Sequence, residues 1–130
     1  MYSGLKVLII EDSVWLIERL LYILEETGHV KDAEYALTYD ESLFILEKRV
    51  PDVIFLDINM PNVNGIRMLK IFKKRFPFIK IVICTIHTDE YYRNTCKSFG
   101  ADYFVSKSSA FDLIPLIINE ISLKEKETVA

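Results

Sequence analysis

Val53-Ile54-Phe55-Leu56-Asp57-Ile58-Asn59-Met60-Pro61-Asn62-Val63-Asn64-Gly65 begins with four apolar residues and then meets a carboxylate. An uncharged run of this kind reads as a strand covered on both faces, the habit of a central strand in a parallel sheet. Pro61 and the Asn64-Gly65 pair then punctuate a loop, and a helical pattern of Ile66, Leu69, Lys70 and Lys73 follows. Asp57 is thereby placed at the carboxyl end of a strand, where open α/β sheets form their ligand crevice. Alone it is weak evidence, because many strand-end aspartates only cap a turn.

Three other apolar runs end in the same manner. Val7-Leu8-Ile9-Ile10 stops on Glu11-Asp12, Ile81-Val82-Ile83-Cys84 on Thr85, and Tyr103-Phe104-Val105-Ser106 on Lys107. The four strand ends together carry three carboxylates, a hydroxyl and an ammonium.

Around this core pattern the chain alternates strand and helix five times. Lys6 to Ile10 leads to a helix capped by Ser13, with Val14, Ile17, Leu20, Leu21 and Leu24 as its apolar stripe and Gly28 past its end. Lys31 to Leu37 mixes polar and apolar residues and suits an edge strand. A second helix opens at Tyr39 or Asp40, buries Leu43, Phe44, Ile45 and Leu46, and stops at Val50-Pro51. Gly65 to Phe76 is a helix with Ile66, Leu69, Ile71 and Phe72 inward. The strand Ile79 to Thr85 precedes a helix that starts at Asp89-Glu90, carries Tyr92, Cys96 and Phe99 on one side, and ends at Gly100. Asp102 to Ser106 is the fifth strand. The last helix carries Phe111, Leu113, Ile114, Ile117, Ile118 and Ile121; Pro115 bends it if it begins at Ala110 and is harmless if it begins near Asp112. Residues 124–130 are expected to fray.

At 130 residues the chain suits one domain, in which about two thirds of the unfolded surface is buried. A formal net charge of -3 argues against direct nucleic-acid binding. Met1-Tyr2-Ser3-Gly4 passes straight into the first strand without a secretory pattern, and no apolar run approaches membrane-spanning length, so a soluble cytoplasmic protein away from membranes is expected. Cys84 and Cys96 lack the close spacing of zinc or redox motifs and read as buried thiols.

Strands joined by helices of this length imply right-handed crossovers and a parallel sheet with helices on both faces. The expected architecture is α/β: a flavodoxin-like, doubly wound five-stranded parallel sheet in the order 2-1-3-4-5 with five helices. Neighbouring strands lie roughly 4.8 Å apart. In that order Glu11, Asp12 and Asp57 can share one cation, with Thr85 one strand away and Lys107 within reach two strands away.

On Glu11-Asp12, the Asp57-Ile58-Asn59-Met60-Pro61 turn with Gly65, Thr85, and Lys107 preceded by Phe104, the chain resembles a receiver domain of a two-component response regulator. The resemblance spans residues 1–123. It implies a phosphorylation-switched signalling domain in which Asp57 accepts a phosphoryl group, from a histidine kinase or histidine phosphotransfer protein, with Mg2+. Glu11, Asp12, Asp57 and the backbone carbonyl of Asn59 would hold the metal, and Thr85 and Lys107 would meet the phosphoryl oxygens. Thr85 and Phe104 would form the switch, altering the face of the fourth helix, fifth strand and fifth helix, where a downstream effector or a homodimer partner would bind. Any enzymatic activity would be limited to the chain's own phosphorylation and dephosphorylation.

Two departures from the family pattern bear on the site. Ile86 stands where many receivers have Ala or Gly and is expected to crowd the entrance, and Ser108 stands where many have Pro, so a cis bond after Lys107 would cost more here. His87 and His29 read as surface histidines. In the family the phosphodonor docks largely on the first helix. There Val14, Trp15 and Leu16 cannot all face the core, and Trp15, with Arg19 and Tyr22, is the candidate contact. Two other classes compete: a receiver that serves as an unphosphorylated interaction module, and a Mg2+-dependent phosphohydrolase. The second is weakened by Asn59, whose amide cannot act as general acid.

Overall fold

The structure is a computed structural model and describes residues 4–61 and 64–129. Met1, Tyr2, Ser3, Asn62, Val63 and Ala130 lie outside the described residues. The elements are β1 (Leu5–Ile10), α1 (Val14–Thr27), β2 (Val30–Ala36), α2 (Tyr39–Lys48), β3 (Val53–Leu56), α3 (Gly65–Arg75), β4 (Lys80–Thr85), α4 (Glu90–Ser98), β5 (Tyr103–Ser106) and α5 (Ala110–Val129). All strand pairs are parallel, in the order β2-β1-β3-β4-β5. The expected architecture is therefore present.

Alternation along each central strand supplies two cores. Leu5, Val7 and Ile9 of β1 and Val53 and Phe55 of β3 face α1 and α5, where Leu20, Leu24, Ile114 and Ile118 close over them. Leu8, Ile10, Ile54 and Leu56 face the other way, onto Leu46 of α2, Leu69 and Phe72 of α3 and Cys96 of α4. A strand with apolar residues on both sides can only sit in the middle of such a sandwich. β2, half-exposed and more polar, is the edge.

Local chemistry fixes where the helices begin. Ser13, Thr38, Asn64 and Asp89 each offer a side-chain oxygen to a backbone N–H in the first turn of α1, α2, α3 and α4. Gly28 ends α1 at φ 74°, a left-handed conformation that suits glycine. Gly65 answers a different need. A Cβ there would stand 2.3 Å from the Ile58 Cα, so the first turn of α3 lies directly against the loop that carries Asp57.

Two expectations are corrected in detail. Val14, expected on the buried stripe, is 55% exposed because it is the first residue of α1; Leu16, Ile17, Leu20 and Leu24 form the buried row. Phe44, expected inward, is 59% exposed and lies under the Lys48 ammonium. The buried face of α2 is instead Tyr39, Ser42 and Leu46, at the three- and four-residue spacing that one helix side allows. The segment from Lys124 belongs to α5, which runs to Val129 with good helix formers and a Glu120–Lys124 pair one turn apart. α5 also begins at Ala110, so Pro115 lies inside it and denies the Phe111 carbonyl its helical N–H. An interior proline costs about 3 kcal/mol, whereas burial of Ile114, Ile117, Ile118 and Ile121 contributes about 2 kcal/mol each. Packing wins, and the helix persists through the proline.

Candidate functional site

The parallel register sets the strand ends side by side. Ile10 pairs with Leu56, Leu56 with Ile83, and Thr85 with Ser106. The next residues on β1 and β3 are Glu11 and Asp57, and both are buried, Asp57 to 2% exposure. Asp12 is exposed at the rim. Carboxylate oxygens of Glu11, Asp12 and Asp57 all lie within 4.8 Å of one another.

Lys107 reaches into this group from beyond β5. Its Nζ donates to Asp57 Oδ2 at 3.0 Å and pairs with Glu11 Oε1 at 2.9 Å. The other oxygens are aimed by backbone. Glu11 Oε2 accepts from the N–H groups of Asp12 and Ser13, each at 3.1 Å, and Asp57 Oδ1 accepts from Asn59 N–H at 2.9 Å. Thr85 is fully buried; its Oγ1 accepts from His87 N–H at 3.1 Å, and its carbonyl accepts from Lys107 N–H at 2.9 Å. Glu11, Asp12, Asp57 and Lys107 thus converge, with Thr85 joined to them through its carbonyl on Lys107 N–H, whereas Phe104 lies apart. That ring lies half-buried on β5, with the Arg93 guanidinium of α4 over it at 4.7 Å.

Burial and crowding set the charges. Burial pushes the Glu11 carboxyl above its ordinary value, the Lys107 contact pulls it down, and the Asp57 charge pushes it up again; the net direction is upward. Burial pushes the Lys107 ammonium down, but Glu11 and Asp57 outweigh it and the group is held above its usual range. Beneath the site, burial pushes the Cys84 thiol up to about 12, which keeps it protonated and inert.

An all-oxygen set with three carboxylates suits a hard divalent cation such as Mg2+ rather than a softer metal. Lys107 supplies only one positive charge against the three acids, so the donor set fits that ion.

Tyr39 was not legible as a site residue. It is buried at the start of α2, and its hydroxyl donates to the Asp57 carbonyl at 2.6 Å. No local motif marks a side chain that reaches a backbone oxygen 18 residues away. His87 brings its backbone to Thr85 while its ring rests on Tyr92 at 5.2 Å. The Lys107–Ser108 bond is trans, in keeping with the absence of proline. On α1, Trp15 is 63% exposed and packs against Phe111 of α5 at 5.9 Å, with Arg19 also over that ring and Tyr22 exposed. Among the described residues no helix is long and apolar enough to cross a membrane.

Comparison with known proteins gives one answer. A family model described as response regulator receiver domain matches residues 7–119. The chain is 31% identical over 119 residues to a transcriptional regulatory protein DegU of Brevibacillus brevis, covering 88% of this chain and 49% of that protein. It is 36% identical over 109 residues to a protein-glutamate methylesterase/protein-glutamine glutaminase of Treponema denticola, covering 82% of this chain and 29% of the relative. The chain thus spans about half or less of the length of these curated relatives. Among solved structures, a CheY-like response regulator receiver domain protein from Methanospirillum hungatei superposes with a TM-score of 0.83 at 26% identity, over 96% of this chain and 99% of that one. Receiver domains generally bind Mg2+, signal by phosphorylation, and stand between histidine kinases and effectors. With the family model matched over most of its length and the strand-end cluster in place, this chain belongs to the response regulator receiver domain family.

Proposed function

We propose that Asp57 is the phosphoacceptor of a cytoplasmic signalling switch. A carboxylate oxygen of Asp57 attacks the phosphorus of a phosphohistidine presented by a kinase or phosphotransfer protein. The bond from phosphorus to the imidazole nitrogen breaks, the histidine leaves with that electron pair, and an acyl phosphate remains on Asp57. Glu11, Asp12, Asp57 and the Asn59 backbone carbonyl would hold Mg2+. The ion supplies positive charge against three carboxylates and an incoming anion.

The chain's own residues do the rest. Lys107 already sits 3.0 Å from Asp57 Oδ2 and follows the transferred group to one of its oxygens, exchanging a carboxylate partner for a phosphoryl one. The Thr85 hydroxyl turns from its present contact with His87 N–H to donate to a second phosphoryl oxygen. The switch is a shift between two packings, biased by contacts that exist in only one of them. Phe104 moves inward as Thr85 does, breaks its stack with Arg93, and changes the face formed by α4, β5 and α5 that an effector or a second copy reads. The phosphodonor docks on α1 around exposed Trp15, Arg19 and Tyr22.

The observation that carries this reading is the clustering of three carboxylates, buried Glu11 and Asp57 and exposed Asp12, against the single ammonium of Lys107. Acetyl phosphate with Mg2+ should add one phosphoryl mass to the intact chain, lost by chelation of the metal or by Asp57→Asn. Labelling that survives Asp57→Asn, or none in the unsubstituted chain, overturns it.

A further inference from the structure

The end of β3 contains a break in the sheet that is filled from outside it. Asp57 N–H donates to the Ile10 carbonyl at 3.1 Å, as a parallel ladder requires. The next rung would have the Asp57 carbonyl accept from Asp12 N–H. That N–H is turned instead to Glu11 Oε2, which helps aim the Glu11 carboxylate. The Asp57 carbonyl is left in a buried position with no ladder donor, and buried carbonyls are rarely left unpaired. The Tyr39 hydroxyl takes the place, at 2.6 Å.

We infer that Tyr39 is a positioning residue for Asp57: its hydroxyl replaces the missing rung and so holds the strand end at the angle that brings the carboxylate to Lys107 and to the cation site. The inference rests on the function proposed above. With it, each hydrogen-bonding group of Asp57 has a fixed contact: the amide on Ile10, the carbonyl on Tyr39, Oδ1 on Asn59 and Oδ2 on Lys107. Three of these contacts come from residues that also shape the acidic cluster. Tyr39 alone ties Asp57 to α2, whose start is fixed by Thr38 and whose first turn is tightened by Ser42 donating to the Tyr39 carbonyl at 2.6 Å. The tyrosine hydroxyl carries its proton at neutral pH and can donate to the carbonyl. Residues that orient a metal-binding side chain from behind matter to the site nearly as much as the ligands themselves.

Tyr39→Phe keeps the ring and removes only the donor. Mg2+ titration of the folded variant, followed by the amide resonance of Asn59, should show affinity lower by about tenfold, with acetyl phosphate labelling slowed in proportion. A purely structural tyrosine would lower the melting temperature and leave Mg2+ affinity of the folded protein within about twofold of the original; that result overturns the inference. In the unsubstituted protein, the Tyr39 hydroxyl proton should be protected from exchange and show a cross-peak to the Ile58 amide, which shares the peptide unit with the Asp57 carbonyl. A freely exchanging hydroxyl also overturns it, and this measurement needs no variant to fold. The two readings fail separately: an unsubstituted chain that binds no Mg2+ and accepts no phosphoryl group defeats the proposed function, whereas one that does both and is matched by Tyr39→Phe defeats only the role of Tyr39.

Discussion

Both ends of the sheet carry acids, and the two ends use them in opposite ways. At the amino-terminal ends, Asp52 ahead of β3 accepts from Lys6 N–H of β1 at 2.8 Å, and Asp102 ahead of β5 accepts from Ile81 N–H of β4 at 2.8 Å. Asp102 also pairs with Lys73 at 2.7 Å and with Lys80 at 4.0 Å. Each acid clamps one strand start to its neighbour, and Asp102 meets two ammonium groups, those of Lys73 and Lys80. At the carboxyl ends three carboxylates cluster, and one ammonium, that of Lys107, pairs with two of them, Glu11 and Asp57. That balance, two ammonium groups on Asp102 against one among three acids, separates a strand clamp from a candidate cation site.

Removing one lysine at each end should expose that difference most clearly. Lys107→Met leaves Glu11 and Asp57 buried without a counter-charge and should cost about 3 kcal/mol in metal-free buffer, because breaking a buried pair strands the remaining charge. Mg2+ should recover most of that loss and bind more tightly than to the unsubstituted chain, since a competing cation is gone. Lys73→Met should cost roughly 1 kcal/mol or less, as Asp102 keeps Ile81 N–H and Lys80 and the pair is partly solvated. It should not respond to Mg2+. Urea denaturation with and without the metal measures both; equal losses, or no recovery in Lys107→Met, would break the comparison.

A smaller effect follows from the raised Glu11 carboxyl. Because the folded chain holds this proton to higher pH than the unfolded one, folding takes up a proton between the ordinary value of 4.5 and the raised one. Stability from this group is therefore full below the ordinary value and declines as pH climbs through the raised one. Mg2+ favours the ionised form and should flatten the decline. Melting temperatures from pH 4 to 7, compared between the unsubstituted chain and Glu11→Gln, isolate the contribution; a metal-free curve that rises through this window relative to Glu11→Gln contradicts the assignment. No such metal sensitivity is expected at the clamps.

The carboxyl-end pocket was largely legible in the sequence because its residues stand at the ends of uninterrupted apolar runs. A central strand announces its own end, and the side chain that follows it has one place to go. Helix faces were less legible. Leu43 to Leu46 are four bulky residues in a row, and their identity alone does not choose a face. Tyr39 and Ser42 chose it, through hydroxyls that find partners in the interior, and Phe44 was turned to solvent as a result. The same physics hid Tyr39 from view: its contact is to a backbone oxygen, and a backbone oxygen has no signature in a sequence. The clamps at Asp52 and Asp102 escaped notice for that reason too.

The smallest effect concerns access to the pocket. Ile86 follows Thr85 directly, yet its side chain is 64% exposed and lies outside the buried cluster. Truncating an exposed side chain changes stability by no more than about 0.5 kcal/mol, so Ile86→Ala tests crowding without disturbing the fold. If the branched side chain obstructs the approach of a small phosphodonor, its removal should speed acetyl phosphate labelling about threefold, equivalent to roughly 0.6 kcal/mol off the barrier. Phe78 is still more exposed but stands ahead of β4 at the clamp end, and Phe78→Ala should leave the rate unchanged. A rate that responds to neither substitution would mean that entry is limited by the carboxylates themselves, whose repulsion of an anionic donor acts before any side chain at the rim is reached.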